Sequence, residues 1–154
     1  MKLSAKGYEL IKKYEGFASR PYLDAVGVPT IGYGNTFYPD GRKVTLQDKS
    51  INEQDATFLL AVIVSEFEDG VDKLVTKPLK PHQFDALVSF AYNLGLGALK
   101  ESRLLYKINI NTNDAYIPNE FTRWVKAGGR ELRGLAKRRV EEANIYYNGY
   151  YGDN

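Results

Sequence analysis

Apolar positions near the start of the chain recur at helical spacing. Leu3, Gly7, Leu10, Ile11 and Tyr14 share one face, Ser4 stands as an N-cap, and Gly16 follows the last periodic residue as a helix-ending glycine would. From residue 20 to 45 the rhythm changes to short β-prone runs at 21–23, 29–33 and 43–45, broken by turn residues, which predicts a small antiparallel sheet. Ser50 and Glu53 read as a capping box. Ala56, Leu59, Leu60, Ile63, Phe67, Val71 and Leu74 then continue at helical spacing, predicting one long helix with the apolar run 58–64 buried in it. Pro78 and Pro81 end that stretch. Pro81 suits the first turn of a further helix with Phe84, Leu87, Val88, Ala91 and Leu94 on one face and Gly95 after it. Later helices are predicted over 99–109, 119–126 and 135–147, and Gly128-Gly129 reads as a turn between helices.

This order predicts an α+β, mainly helical chain. A sheet lobe at about 15–50 leads into a connecting helix at about 51–75, and an all-helical lobe at about 76–154 packs with the N-terminal helix. The long helix would join two lobes of a single domain, with a cleft between them.

At 154 residues the chain has the length of one ordinary domain, enough for a hydrophobic core without staples. It has no cysteine and one histidine, His82, which removes disulfides, thiol nucleophiles, sulfur-ligated metals and histidine clusters. The N-terminal residues run straight into an amphipathic helix and carry no apolar core of a signal peptide. The run 58–64 is far short of the roughly 20 residues a membrane-spanning helix needs, so no membrane anchor is expected. A net charge of +2 gives no argument for nucleic acid as a partner. Arg130, Arg133, Lys137, Arg138 and Arg139 nevertheless make the C-terminal third locally basic, which reads as a solvated helix face or as an attraction for an anionic polymer.

The chemistry concentrates between residues 14 and 34. Glu15 falls in the last turn of the first helix, where the negative end of the helix dipole disfavours a second negative charge. Asp24 opens the turn Asp24-Ala25-Val26-Gly27, and Thr30 lies in the next strand. Fully extended, the chain from Glu15 to Asp24 would span about 30 Å, so a shared site requires the reversal that Gly16 and the turn allow. Two carboxyls in unlike surroundings are what glycoside hydrolysis uses, one giving a proton to the leaving oxygen and one activating water.

The segment Glu15, Asp24, Thr30, Ile31, Gly32, Tyr33, Gly34 resembles the phage-type lysozymes, the endolysins of glycoside hydrolase family 24. Their pattern is Glu, eight residues, Asp, five residues, Thr, followed by Ile-Gly-Tyr-Gly or close variants. The resemblance continues in the family's order through 83–95 (Gln83 to Gly95), 121–129 (Phe121 to Gly129) and 134–141 (Gly134 to Glu141), so it covers nearly the whole chain. It implies a lysozyme-like two-lobed fold and hydrolysis of the β-1,4 bond between N-acetylmuramic acid and N-acetylglucosamine in bacterial peptidoglycan. Glu15 would be the general acid, and Asp24 would act on the attacking water with the Thr30 hydroxyl helping to hold it.

The resemblance further implies inversion by direct attack of water; no cofactor is needed, the lack of cysteine and of a histidine cluster leaves no metal site expected, and a monomer is expected. It also implies synthesis in the host bacterial cytoplasm, with release to the wall by another route such as a holin. Tyr92 and Asn93 match a cleft-lining segment and read either as sugar contacts or as helix-end packing and capping; Ser102 matches a further cleft position. Trp124 reads as core, and Tyr146, Tyr147, Tyr150 and Tyr151 as sugar-stacking residues or as a partly buried helix end and tail. Many relatives carry histidine where this chain has Asn35, so any ion pair that histidine makes is lost here. A lytic transglycosylase, which cuts the same bond with one essential acid, is disfavoured by the presence of Asp24 and Thr30. A wall-binding module without turnover is disfavoured by the complete acid set.

Overall fold

Ser4 opens the first helix as its short side chain permits: its Oγ accepts the Gly7 N–H at 3.1 Å, satisfying one of the donors that a helix start leaves exposed. The computed structural model describes residues 1–127 and 129–152. Its elements in order are α1 (Ala5–Glu15), β1 (Ala18–Leu23), β2 (Pro29–Gly32), α2 (Glu53–Leu74), α3 (Pro81–Leu94), α4 (Leu96–Glu101), α5 (Arg103–Ile110), α6 (Ile117–Phe121), β3 (Lys126–Ala127), β4 (Arg130–Glu131) and α7 (Arg133–Asn148). The mainly helical α+β class is as the pattern predicted. The chain divides into two compact units, Ile11–Glu66 and Met1–Leu10 with Phe67–Asn154.

In the unit Ile11–Glu66, β1 and β2 pair antiparallel with Tyr22 opposite Thr30 and Leu23 opposite Pro29. Farther from the turn Ala18 stands opposite Gly32, so four steps of β1 pass against two of β2 and the strand bulges. The run expected at 43–45 is not a strand; Lys43 makes only an isolated bridge to Phe37. Ile31, Val44 and Leu59 form a buried cluster flanked by Tyr38 and Ile51. The N-cap of α2 is Asn52 rather than Ser50. Asn52 Oδ1 accepts the Asp55 N–H at 2.7 Å, two residues closer to the helix than the expected box. The run 58–64 is not buried all round, because Phe58 and Val62, four apart on one side of α2, stay 64% and 39% exposed while Leu59, Leu60 and Val64 are buried.

In the other unit, every residue of α3 from Gln83 to Ala91 is buried, so this helix is enclosed on all sides rather than on the one face its pattern marked. It packs against α7, and α6 packs on α7 as well. Phe90 meets Phe121 and Trp124 edge-on at ring separations of 5.8 and 5.7 Å, which places Trp124 against the core as expected.

The expected helix 99–109 is two helices broken at Ser102, whose backbone is extended (φ −77°, ψ 150°) and whose hydroxyl caps the second. The expected helix 119–126 shrinks to the five residues of α6, and the chain beyond it forms the β3–β4 hairpin, with Lys126 opposite Glu131. The turn expected between helices falls instead between strands β3 and β4. Gly129 supplies a φ of +79°, and Gly128 lies outside the described residues.

The basic C-terminal stretch also needs correction. Arg138 and Arg139 are 3% and 0% exposed, and both pair with the fully buried Glu142. Only Arg130, Arg133 and Lys137 of that set face solvent. Asp85 is a second buried hub. It accepts the Ser4 N–H at 3.0 Å, the Ser4 hydroxyl and the Tyr151 hydroxyl at 2.6 Å. Burial first, and the bond to Asp85 second, push the Tyr151 hydroxyl well above the ordinary tyrosine range. Gly7 makes the approach of α1 possible, since a Cβ there would stand 2.8 Å from Asp85 Cγ.

Candidate functional site

Glu15 is the last residue of α1 and is partly buried. The helix stops there because Gly16 takes a φ of +73°, and its N–H still donates to Lys12 O at 2.9 Å. One turn back, Lys12 pairs with Glu53 at 3.3 Å and lies 5.5 Å from the centre of the Tyr33 ring. The Tyr33 hydroxyl donates to Glu53 at 2.7 Å, and Phe17 packs against the Tyr33 ring at 5.7 Å. The end of α1 is thus tied to the start of α2 through Lys12 and to the residue after β2 through Tyr33. Hydrogen bonds from Tyr33 first, then Thr57 and Lys12, hold the Glu53 carboxyl down at about 2. Sequence reading gave Glu53 to a capping box and so missed this cluster. The i,i+4 pair Glu53 and Thr57 at a helix start was the available signal, and Thr57 Oγ1 does donate to Glu53 at 2.7 Å.

Asp24 begins the loop between β1 and β2. One carboxylate oxygen, Oδ1, accepts the N–H groups of Val26 and Val28, both at 2.9 Å. The backbone closes around it: Asp24 N–H donates to Val28 O and Gly27 N–H to Asp24 O, each at 3.0 Å, with Gly27 at a φ of +85°. This is an Asx turn, in which a short carboxylate side chain organises the peptide groups that follow it.

Thr30, 3% exposed, donates its hydroxyl proton to Val28 O at 2.9 Å. A threonine hydroxyl has one proton, so Thr30 can offer any further group only its lone pairs. Val28 therefore serves both residues, its N–H holding Asp24 and its carbonyl holding Thr30. Glu15, Asp24 and Thr30 all belong to the unit Ile11–Glu66.

Tyr92, Asn93 and Ser102 belong to the other unit. Tyr92 packs on Phe67 at a ring separation of 5.4 Å. Asn93 Oδ1, near the end of α3, is buried without a hydrogen-bond partner. Ser102 Oγ donates to Leu99 O at 2.7 Å and accepts the Leu105 N–H at 3.0 Å, so it serves as a helix cap. Asn35 is 1% exposed; its Nδ2 donates to Leu59 O at 3.1 Å and its Oδ1 finds no partner. Among the described residues no group of His, Asp and Glu is arranged to hold a metal ion. No helix among them is long and apolar enough to cross a membrane.

Comparison with known proteins decides the family. Residues 12–142 match the phage lysozyme family, more than four-fifths of the chain. The chain belongs to the phage lysozyme family. It is 43% identical over 149 residues to an endolysin of Bacillus phage B103, covering 97% of this chain and 55% of that protein. It is 34% identical over 143 residues to the endolysin of Salmonella phage P22, covering 93% of this chain and 97% of that one. The solved endolysin from Escherichia coli O157:H7 phage FAHEc1 superposes with a TM-score of 0.90 at 34% identity, over 99% of this chain and 98% of that one. The chain thus spans only a little over half the length of the Bacillus phage relatives and nearly all of the P22 protein.

Proposed function

We propose that this chain hydrolyses the β-1,4 bond between N-acetylmuramic acid and N-acetylglucosamine in peptidoglycan, acting on the wall after release from the cell that makes it. The observation that carries the reading is the Val28 backbone, whose N–H holds the carboxylate of Asp24 and whose carbonyl holds the hydroxyl of Thr30. Glu15 gives its proton to the glycosidic oxygen as the bond to the anomeric carbon breaks. A water oxygen forms the new bond to that carbon, and Asp24 takes one of its protons. Because Thr30 has given its own proton to Val28 O, it accepts the second water O–H. The water then donates to both residues, which leaves an oxygen lone pair for the sugar. Direct attack of this kind inverts the anomeric configuration.

Tyr92 and Asn93 are proposed as sugar contacts, through the aromatic face and the amide respectively. Ser102 joins them only through the acceptor position that its two local bonds leave. No cofactor takes part, and a monomer suffices for these steps. The exposed Arg130, Arg133 and Lys137 favour the anionic wall polymer, an attraction that weakens as salt rises.

Digestion of purified peptidoglycan with wild type, Glu15→Gln and Asp24→Asn, followed by analysis of the product ends, tests the reading. New reducing ends from wild type and none from Glu15→Gln support it. Anhydro ends would instead identify a lytic transglycosylase, and retention on the wall with no new ends a binding module.

A further inference from the structure

We propose that Gly27 is a positioning residue for this hydrolysis: its left-handed backbone closes the Asx turn that fixes Asp24 Oδ1 and reserves the other carboxylate oxygen, Oδ2, for water. The inference rests on the role given to Asp24 above. Both backbone donors that the turn supplies, Val26 N–H and Val28 N–H, converge on Oδ1 at the same 2.9 Å. A carboxylate gripped on one oxygen by two donors has its plane set. Oδ2 then points in one direction without any further side chain to hold it.

Gly27 controls whether those two donors can converge. Its N–H closes onto Asp24 O at 3.0 Å and its φ of +85° turns the chain back so that Val28 O meets Asp24 N–H at 3.0 Å. L-residues other than glycine reach that φ only at a cost, least for asparagine and aspartate. A Cβ at Gly27 would meet nothing within 4 Å. A substitution there acts through backbone conformation alone, with no clash to propagate into the core. Val26 before it is 83% exposed and Val28 after it 39%, so neither is locked in the core.

The same turn reaches Thr30. If Gly27 leaves the left-handed region, Val28 rotates, and its N–H and its carbonyl release Asp24 and Thr30 together. Loss of Gly27 should therefore lower turnover while leaving sugar affinity alone.

The test measures kcat and KM on soluble peptidoglycan fragments, with thermal midpoints, for wild type, Gly27→Ala, Gly27→Asn and Asp24→Asn. Gly27→Ala is expected to lower kcat roughly five- to thirtyfold, the population cost of forcing alanine into the left-handed region. KM should stay within about twofold, and Gly27→Asn should recover most of the lost kcat. Gly27→Ala at parental kcat while Asp24→Asn is inactive overturns the inference alone. Equal losses in Gly27→Ala and Gly27→Asn also overturn it, as does a kcat that falls only in step with the thermal midpoint. Full activity of Asp24→Asn overturns the role of Asp24 itself.

Discussion

Replacing Glu142 with Gln should damage the chain more than any surface change of equal size. Glu142 is fully buried in α7. It accepts Ser89 Oγ at 2.6 Å, Arg138 Nε at 3.2 Å, Arg139 Nε at 2.7 Å and Arg139 Nη2 at 3.2 Å. Its charge offsets two guanidinium groups that have almost no access to water. The carboxamide keeps the shape, removes the charge and turns an NH2 donor toward at least one donor already in place. Breaking a buried ion pair on one side costs about 3–5 kcal/mol. For a chain of this length each kcal/mol moves the thermal midpoint by roughly 2–4 °C, so a fall of about 6–20 °C is expected. Trp124 is the only tryptophan and packs against Phe90 in the same unit, so its fluorescence during urea unfolding reports on this region. A Glu142→Gln variant that loses less than about 1 kcal/mol at unchanged m would refute the view that this cluster depends on the central charge.

Three further outcomes are expected. Glu53 is held at about 2 against an ordinary 4.5 by Tyr33, then Thr57 and Lys12, so its stabilisation is complete above 4.5 and is lost as pH falls toward 2. Acid unfolding of Glu53→Gln should accordingly show a flatter pH dependence across that window, and an unchanged curve would count against the cluster. Asn35→His places an imidazole in a buried position where burial disfavours its charged form. Stability should fall below the unfolded histidine value of about 6.5 while cleavage at neutral pH is kept, and a thermal midpoint that rises on acidification would contradict this. Tyr151→Phe removes one of the donors on Asp85 and should lower stability by about 1.5–3 kcal/mol, read as a shift of the urea midpoint.

Local signals with short reach were legible in the sequence. Ser4, Gly16, Pro81 and Gly95 marked helix ends because capping and glycine effects act within one turn. The Asp24 turn was legible for the same reason. Ser102 broke a helical pattern whose periodicity ran on across it, since a cap in extended backbone leaves the apolar spacing on either side intact. Arg138 and Arg139 read as a solvated face because nothing in their own segment says that Ser89, 49 residues or more away, stands opposite with Glu142. In the candidate site the residue types and order came from sequence. What sequence did not contain was the direction of each hydrogen bond, and with it the division of labour between the two Asp24 oxygens.

The two units differ in how the chain supplies them. Ile11–Glu66 is one continuous stretch, whereas Met1–Leu10 must join Phe67–Asn154, with Leu3 N–H bonded to Glu68 and Ser4 bonded to Asp85. On a ribosome these ten residues emerge before their long-range partners Glu68 and Asp85 exist. At about 5–20 residues per second the stretch from Phe67 to Tyr151 takes roughly 4–17 s to make. For that interval Leu3 and Leu10, buried in the finished protein, have no core of their own to enter, while the continuous unit can already be complete. Vectorial synthesis therefore makes the whole of Ile11–Glu66 available before the long-range partners of Met1–Leu10, an order of availability that refolding of the whole chain from denaturant does not impose.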